Sequence, residues 1–207
     1  IKEHCGGERV GISWFGGEPL FNQSSIDTIC EGLRREGIEF KSTMVSNGYL
    51  FDAQTVKTAV EDWNLQRVQI TLDGTEQVYN KAKAFIYKEG SAYQRVLTNI
   101  GLLLDAGVSI QIRLNMDLYN AENLLELVQE LSDRFSGKKG LRIYAHHIFD
   151  GDKPMAGMHT DEEWEKRDAA LQQLQEKIAA CGLAGKIGIY KHAKSANCRH
   201  LLASCVI

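Results

Sequence analysis

Paired cysteines, proline and long apolar runs are what this sequence lacks. Its five cysteines, Cys5, Cys30, Cys181, Cys198 and Cys205, are scattered and odd in number, and no C-x-x-C occurs. That pattern argues against a disulfide framework. Only 2 prolines occur in 207 residues, so there is no Pro-rich linker. No charge of one sign dominates: 24 Lys and Arg stand against 27 Asp and Glu, a net charge of −3. The basic footprint of a nucleic-acid binder is missing, and so is an acidic tail. No apolar stretch approaches the ~18 residues of a membrane helix, and no signal-peptide pattern opens the chain. The expectation is a cytoplasmic protein with neither nucleic acid nor membrane as partner.

What is present is an ordinary globular composition, 43% hydrophobic and 25% charged. This length suffices for one sizeable α/β domain, or one domain and part of another. The chain opens on Ile1, not Met, and closes on the apolar run Ser204-Cys205-Val206-Ile207. Both ends read as cut.

Strand and helix patterns alternate throughout. Short β-branched runs predict strands at Arg9–Trp14, Glu39–Ser46, Arg67–Asp73, Ser109–Asp117 and Leu141–Ile148. Between them apolar residues recur at helical spacing. Ser24-Ser25-Ile26-Asp27 reads as a helix start, with Ile26, Ile29 and Leu33 on one face and Gly37 as its stop. Asp52 can cap a helix running through Trp63. After a longer insertion a helix covers about Tyr93–Ala106, stopped by Gly107. Asn120 or Glu122 opens another, through Phe135. Thr160 caps the longest, about Asp161–Cys181, closed by Gly182. One βα unit per 30–40 residues predicts a parallel sheet with right-handed crossovers, either open and doubly wound or closed as a barrel.

The strands themselves separate these two. In Ser109–Asn115 one face is Gln111, Arg113 and Asn115, the other Ile110, Ile112 and Leu114; in Val68–Asp73 one face is Gln69, Thr71 and Asp73. Central strands of an open α/β sheet are apolar on both faces. A polar, ligand-filled lumen accounts for the pattern, in a barrel wider or more open than the packed eight-fold one. The competing account is a pair of edge strands, each with a solvated face.

The sharpest motif is Trp14-Phe15-Gly16-Gly17-Glu18-Pro19-Leu20, directly after the first strand. Two glycines let the backbone turn sharply and approach a ligand. A glutamate then stands at the carboxyl end of the strand, where α/β sites form. An ammonium group offers three donors and no acceptor, and exposed carbonyls plus a carboxylate suit it.

This string resembles the glycine-glycine-glutamate motif of radical S-adenosylmethionine (SAM) enzymes. Ser46-Asn47-Gly48, Thr71-Leu72-Asp73-Gly74 and Arg113-Leu114-Asn115 follow at later strand ends, in the family's order. The third element is similar to the Ser-Leu-Asp-Gly of the branch with a SPASM extension. Together the motifs cover about residues 9–117. The resemblance implies a partial parallel (β/α)6 TIM-like radical SAM barrel of about five βα units, truncated at both ends. It implies that Gly16, Gly17 and Glu18 hold the SAM amino group, that Thr71 stands near its carboxylate, and that Asn47 and Asp73 line the cofactor mouth. Arg113 would fork onto a carboxylate and Asn115 would reach the ribose. Arg113 has a second reading, an internal salt bridge with Asp73 or Glu18. Tyr79 and Lys83, in Val78–Lys83, stand where many relatives carry His and Arg.

The larger departure is the absence of C-x3-C-x2-C, whose thiolates hold the family's catalytic [4Fe–4S] cluster. The resemblance places that loop upstream, and makes residues 1–190 a core barrel lacking its first βα unit. Residues 191–207 would begin a SPASM-like auxiliary-cluster domain, with Cys198 a possible ligand in the intact protein; Cys205 alone cannot complete a site. Cys30 and Cys181 read as packing residues. Adjacent strand residues His146 and His147 point to opposite faces and do not share a metal easily; His146 is the one that could face a lumen. The implied activity is reductive SAM cleavage and modification of a peptide or protein, as in sulfatase or peptide maturases, with flavodoxin or ferredoxin as electron donor. Two other readings stay open: a non-catalytic binding barrel, and an unrelated aldolase or epimerase using Glu18, Asp73 and His146.

Overall fold

The computed structural model describes residues 9–83, 90–117, 119–147, 161–185 and 200–205. Its strands are β1 (Val10–Gly16), β2 (Phe40–Ser46), β3 (Leu65–Leu72), β4 (Ser109–Met116), β5 (Leu141–His147) and β6 (His200–Cys205). They hydrogen-bond in the order β5-β4-β3-β2-β1-β6. β2 runs parallel to both β1 and β3, and β6 lies parallel along the other edge of β1, pairing Gly11 with His200 through Gly16 with Cys205. The first five strands fall close to their expected positions.

The helices are α1 (Gln23–Arg35), α2 (Ala53–Glu61), α3 (Glu76–Lys83), α4 (Ala92–Asp105), α5 (Ala121–Arg134) and α6 (Asp161–Ala180). α1, α4 and α6 end at the expected glycines: Ile38 N–H reaches Leu33 O, Val108 N–H reaches Leu103 O, and Leu183 N–H reaches Ile178 O. Asp52 Oδ1 caps α2 by accepting from Thr55 N at 2.7 Å.

Two local readings differ from the structure. α1 is capped not by Ser24 but by Asn22, whose Oδ1 accepts from Ser25 N at 3.3 Å. Pro19, pre-set for a helical first position, opens a 3-10 turn Pro19–Asn22 that moves the start upstream. Asn120 opens α5 as expected, its carbonyl accepting from Leu124 N at 2.9 Å, while its side chain makes no cap. It turns back, accepting from Asp117 N and donating to Asn115 O, both at 2.9 Å. The insertion after β3 contains α3. Cys5, Thr160 and Cys198 lie outside the described residues.

The chain divides into two compact units. In the first, Val10, Ile12 and Trp14 of β1, Phe40 and Met44 of β2, and Val68 and Ile70 of β3 are buried with Ile26 and Leu33 of α1 and Val56 and Ala59 of α2. Burying each large aliphatic side chain contributes roughly 1.5–3 kcal/mol, so a one-residue register slip is strongly disfavoured. Trp63 is fully buried, and its Nε1 donates to Asp27 Oδ1 at 2.6 Å. In the second unit Leu114, Met116, Leu124, Leu127, Val128, Leu131, Leu141, Ile143, Leu174 and Ile178 form the core.

The opposite faces of β3 and β4 are neither core nor open surface. Gln69, Thr71, Gln111, Arg113 and Asn115 are all half-buried. Both strands lie inside the sheet order, which removes the edge-strand account.

Gly48, just after β2, has φ +80°, and a Cβ there would lie 3.0 Å from Ile70 Cδ1 and 3.1 Å from Val96 Cγ1. Gly107 has φ +81° but open space around it. Gly107→Ala should cost backbone strain alone, about 1–2 kcal/mol; Gly48→Ala should add about 1–3 kcal/mol of overpacking to that. Chemical denaturation midpoints check the order, and equal losses would refute the close packing of Gly48.

Candidate functional site

In the first unit, β1 runs into Gly16-Gly17-Glu18. Gly17 is exposed, and a Cβ on it would meet nothing within 4 Å. Packing therefore does not demand glycine there, and the space is free for a ligand. Glu18 behaves oppositely. It is 5% exposed, and its carboxylate is gripped by three donors. Oε1 accepts from Leu20 N at 3.2 Å and Ser46 Oγ at 2.9 Å; Oε2 accepts from Asn47 N at 2.7 Å and Ser46 Oγ at 3.1 Å. Burial pushes the Glu18 carboxyl above its ordinary pKa, and the Asn47 and Leu20 amides and the Ser46 hydroxyl pull it back only in part.

The loop after β2 is fastened from several sides. Ser46 Oγ accepts from Gly48 N at 3.0 Å, and Asn47 Oδ1 accepts from Tyr49 N at 2.8 Å. Asn99 of α4, itself buried, donates its Nδ2 to Gly48 O at 2.9 Å and Tyr49 O at 3.0 Å. The Arg95 guanidinium lies 4.2 Å over the Tyr49 ring.

In the second unit, Asn115 Nδ2 on β4 donates to Asp73 Oδ1 at 3.0 Å, and Lys83 Nζ stands 3.9 Å from Asp73 Oδ2. Asp73 thus meets Asn115 and Lys83 where a pairing with Arg113 was one expectation. The buried Nε of Arg113 and Oδ1 of Asn115 have no hydrogen-bond partner. A donor on a cation and an acceptor on an amide are left without a hydrogen bond. The turn at Asp73-Gly74 is closed against α5: Asn123 Oδ1 accepts from Thr75 N, and its Nδ2 donates to Thr75 Oγ1, both at 2.8 Å.

Tyr79 is fully buried, 5.8 Å from the Tyr93 ring, whose hydroxyl donates to Glu130 Oε2 at 2.9 Å. Tyr79 is therefore a core residue. His146 is half-buried, on the face of β5 opposite buried Leu141, Ile143 and Ala145. Cys30 is buried, and burial pushes its thiol up to about 11, as for an inert packing residue.

Ser46 and Asn99 were not singled out as functional in the sequence. Ser46 reads there as a strand residue. Asn99 carries a signal of its own: an amide within the apolar run Val96, Leu97 and Ile100 needs a partner.

Among the described residues no group of three His, Cys, Asp or Glu could hold a metal ion. The chain has no C-x3-C-x2-C, so its own residues do not fit a [4Fe–4S] cluster. In the first unit Gly17 has open space beside it, and in the second Arg113 Nε and Asn115 Oδ1 lack hydrogen-bond partners.

The profile of a family described as "4Fe-4S single cluster domain" matches residues 2–97. No protein of curated function matches the sequence. Among solved structures, native anSMEcpe with bound AdoMet and Kp18Cys peptide is similar with TM-score 0.60 and 15% identity, over 85% of this chain and 49% of that one. Streptococcus suis SuiB bound to S-adenosylmethionine matches with TM-score 0.51 and 17% identity, over 83% of this chain and 34% of that one. The same protein bound to its precursor peptide SuiA gives TM-score 0.52 at 17% identity, over 83% and 34%. The chain is similar in fold to these AdoMet-bound proteins. It spans at most about half the length of these solved chains. At such identities the likeness is one of fold, an α/β barrel core of parallel strands alternating with helices.

Asn99→Ala should orphan two carbonyls of the loop after β2 and cost about 1–3 kcal/mol. Asn99→Asp should cost more, since it aims an acceptor at two acceptors. Denaturation of the variants checks this order, and a neutral Asn99→Asp would refute the bonds.

Proposed function

We propose that this radical SAM core binds S-adenosylmethionine in an enzyme that modifies a peptide or protein substrate. In the whole protein, a [4Fe–4S] cluster held by residues other than these would supply electrons for reductive SAM cleavage to a 5′-deoxyadenosyl radical. The electrons would come from a donor such as flavodoxin or ferredoxin. The peptide reading draws support from the peptides bound to anSMEcpe and to SuiB.

Two orphaned atoms carry the SAM reading. Arg113 offers an unpaired N–H to a carboxylate, and Asn115 Oδ1 accepts from a ribose hydroxyl. Thr71 supplies a further hydroxyl at the end of β3, and Asp73 stands beside Asn115 in the same unit. The Gly16-Gly17-Glu18 turn meets the amino group with backbone carbonyls and a fixed negative charge.

Calorimetric titration of the chain with S-adenosylmethionine tests this. Removing a charge-assisted hydrogen bond costs about 1.5–3 kcal/mol, so Arg113→Ala should weaken binding roughly 10- to 100-fold. Binding unaffected by Arg113→Ala, or none by the unaltered chain, would sink the assignment.

Glu18 adds a pH dependence. Its carboxyl titrates above the ordinary 4.5 in the folded chain. The stability linked to it is present below that value and is lost as pH rises through the raised pKa. A cationic ligand favours the ionised form. Affinity should therefore climb as pH rises through the raised pKa and then level off, and Glu18→Gln should flatten the climb. A pH-independent affinity in the unaltered chain would contradict the pairing.

A further inference from the structure

We propose that Ser46 is a positioning residue for the Gly16-Gly17-Glu18 turn, acting on the ligand's amino group through Glu18; this rests on the reading of the chain as a SAM-binding core. A serine hydroxyl has one proton and two acceptor positions. One acceptor position of Ser46 is taken by Gly48 N–H at 3.0 Å, which orients the hydroxyl. Its proton goes to Glu18, shared between Oε1 at 2.9 Å and Oε2 at 3.1 Å. Ser46 and Glu18 are each 5% exposed, so water does not replace either bond.

With its proton committed, Ser46 has nothing to donate to a ligand. Its effect passes through the carboxylate. Without the hydroxyl, Oε1 would keep only Leu20 N at 3.2 Å and Oε2 only Asn47 N at 2.7 Å. The carboxylate would then be held by one backbone amide on each oxygen, less firmly than before, and Gly48 N–H would lose its partner. The turn that presents Gly16 and Gly17 is tied to the loop after β2 through this carboxylate. Fixed placement of a charge before the ligand arrives is what makes it selective.

A ligand without an amino group should not register this role. The test measures affinities of S-adenosylmethionine and 5′-methylthioadenosine, which lacks the amino-acid portion, for the unaltered chain, Ser46→Ala and Ser46→Thr. Loss of one buried hydrogen bond to a charged group corresponds to about a tenfold weakening or more. Ser46→Ala should weaken S-adenosylmethionine by that factor while 5′-methylthioadenosine stays within about twofold, and Ser46→Thr, which restores the hydroxyl, should recover most of the loss. Should Ser46→Ala melt below the assay temperature, Ser46→Cys, with its weak donor, reads the same ratio between the two ligands. Equal weakening of both ligands, or no weakening of either, overturns the positioning role alone. Failure of the unaltered chain to bind S-adenosylmethionine overturns the SAM reading and this role with it.

Discussion

A carboxylate taken out of water is costly unless donors replace the water it loses. Glu18 meets that condition with two backbone amides and one hydroxyl, drawn from the turns that follow β1 and β2. Everything else in the first unit's loop cluster depends on this bond set. Gly48 can hold its positive φ against Ile70 and Val96 because Ser46 and Asn99 fix the chain on either side of it. The Gly16-Gly17 turn stays open because the residue after it is anchored, not because side chains prop it.

The second unit solves a different problem. Its polar face on β4 is half-buried, and its carboxylate Asp73 is satisfied by Asn115 and Lys83. What remains unsatisfied is one donor on Arg113 and one acceptor on Asn115. Native interiors rarely leave such atoms without partners. The two units thus differ: the first holds an acidic group already supplied with protein donors, the second two polar atoms still lacking theirs.

Much of the fold was legible from the chain. Period-two alternation in Ser109–Asn115 and glycine stops at Gly37, Gly107 and Gly182 are local signals, set by sterics and burial within a few residues. The failure at α1 has an equally local cause: Pro19 moved its start by opening a turn of its own. At the site, Gly16, Gly17 and Glu18 stood out because their pattern is contiguous. Ser46 and Asn99 did not, since their partners lie 28 and about 50 residues away in sequence. Tyr79, which stands where many relatives carry a histidine, is buried beside the Tyr93 ring, in keeping with that departure.

The cysteines show how the chemistry divides. Reductive cleavage needs three thiolates around a cluster, and none of the five cysteines here has the spacing to provide them. Cys30 is spent on packing, its thiol held neutral by burial. Binding, by contrast, needs only oriented dipoles and charges on rigid strands. β6 lies along the free edge of β1 and brings the backbone of Cys205 level with Gly16, so the strand that leads into the glycine turn is paired on both sides. A turn flanked by two hydrogen-bonded strands and bolted through a buried carboxylate has few ways to move. The ordering entropy of a ligand site is then met during folding and not at the moment of binding.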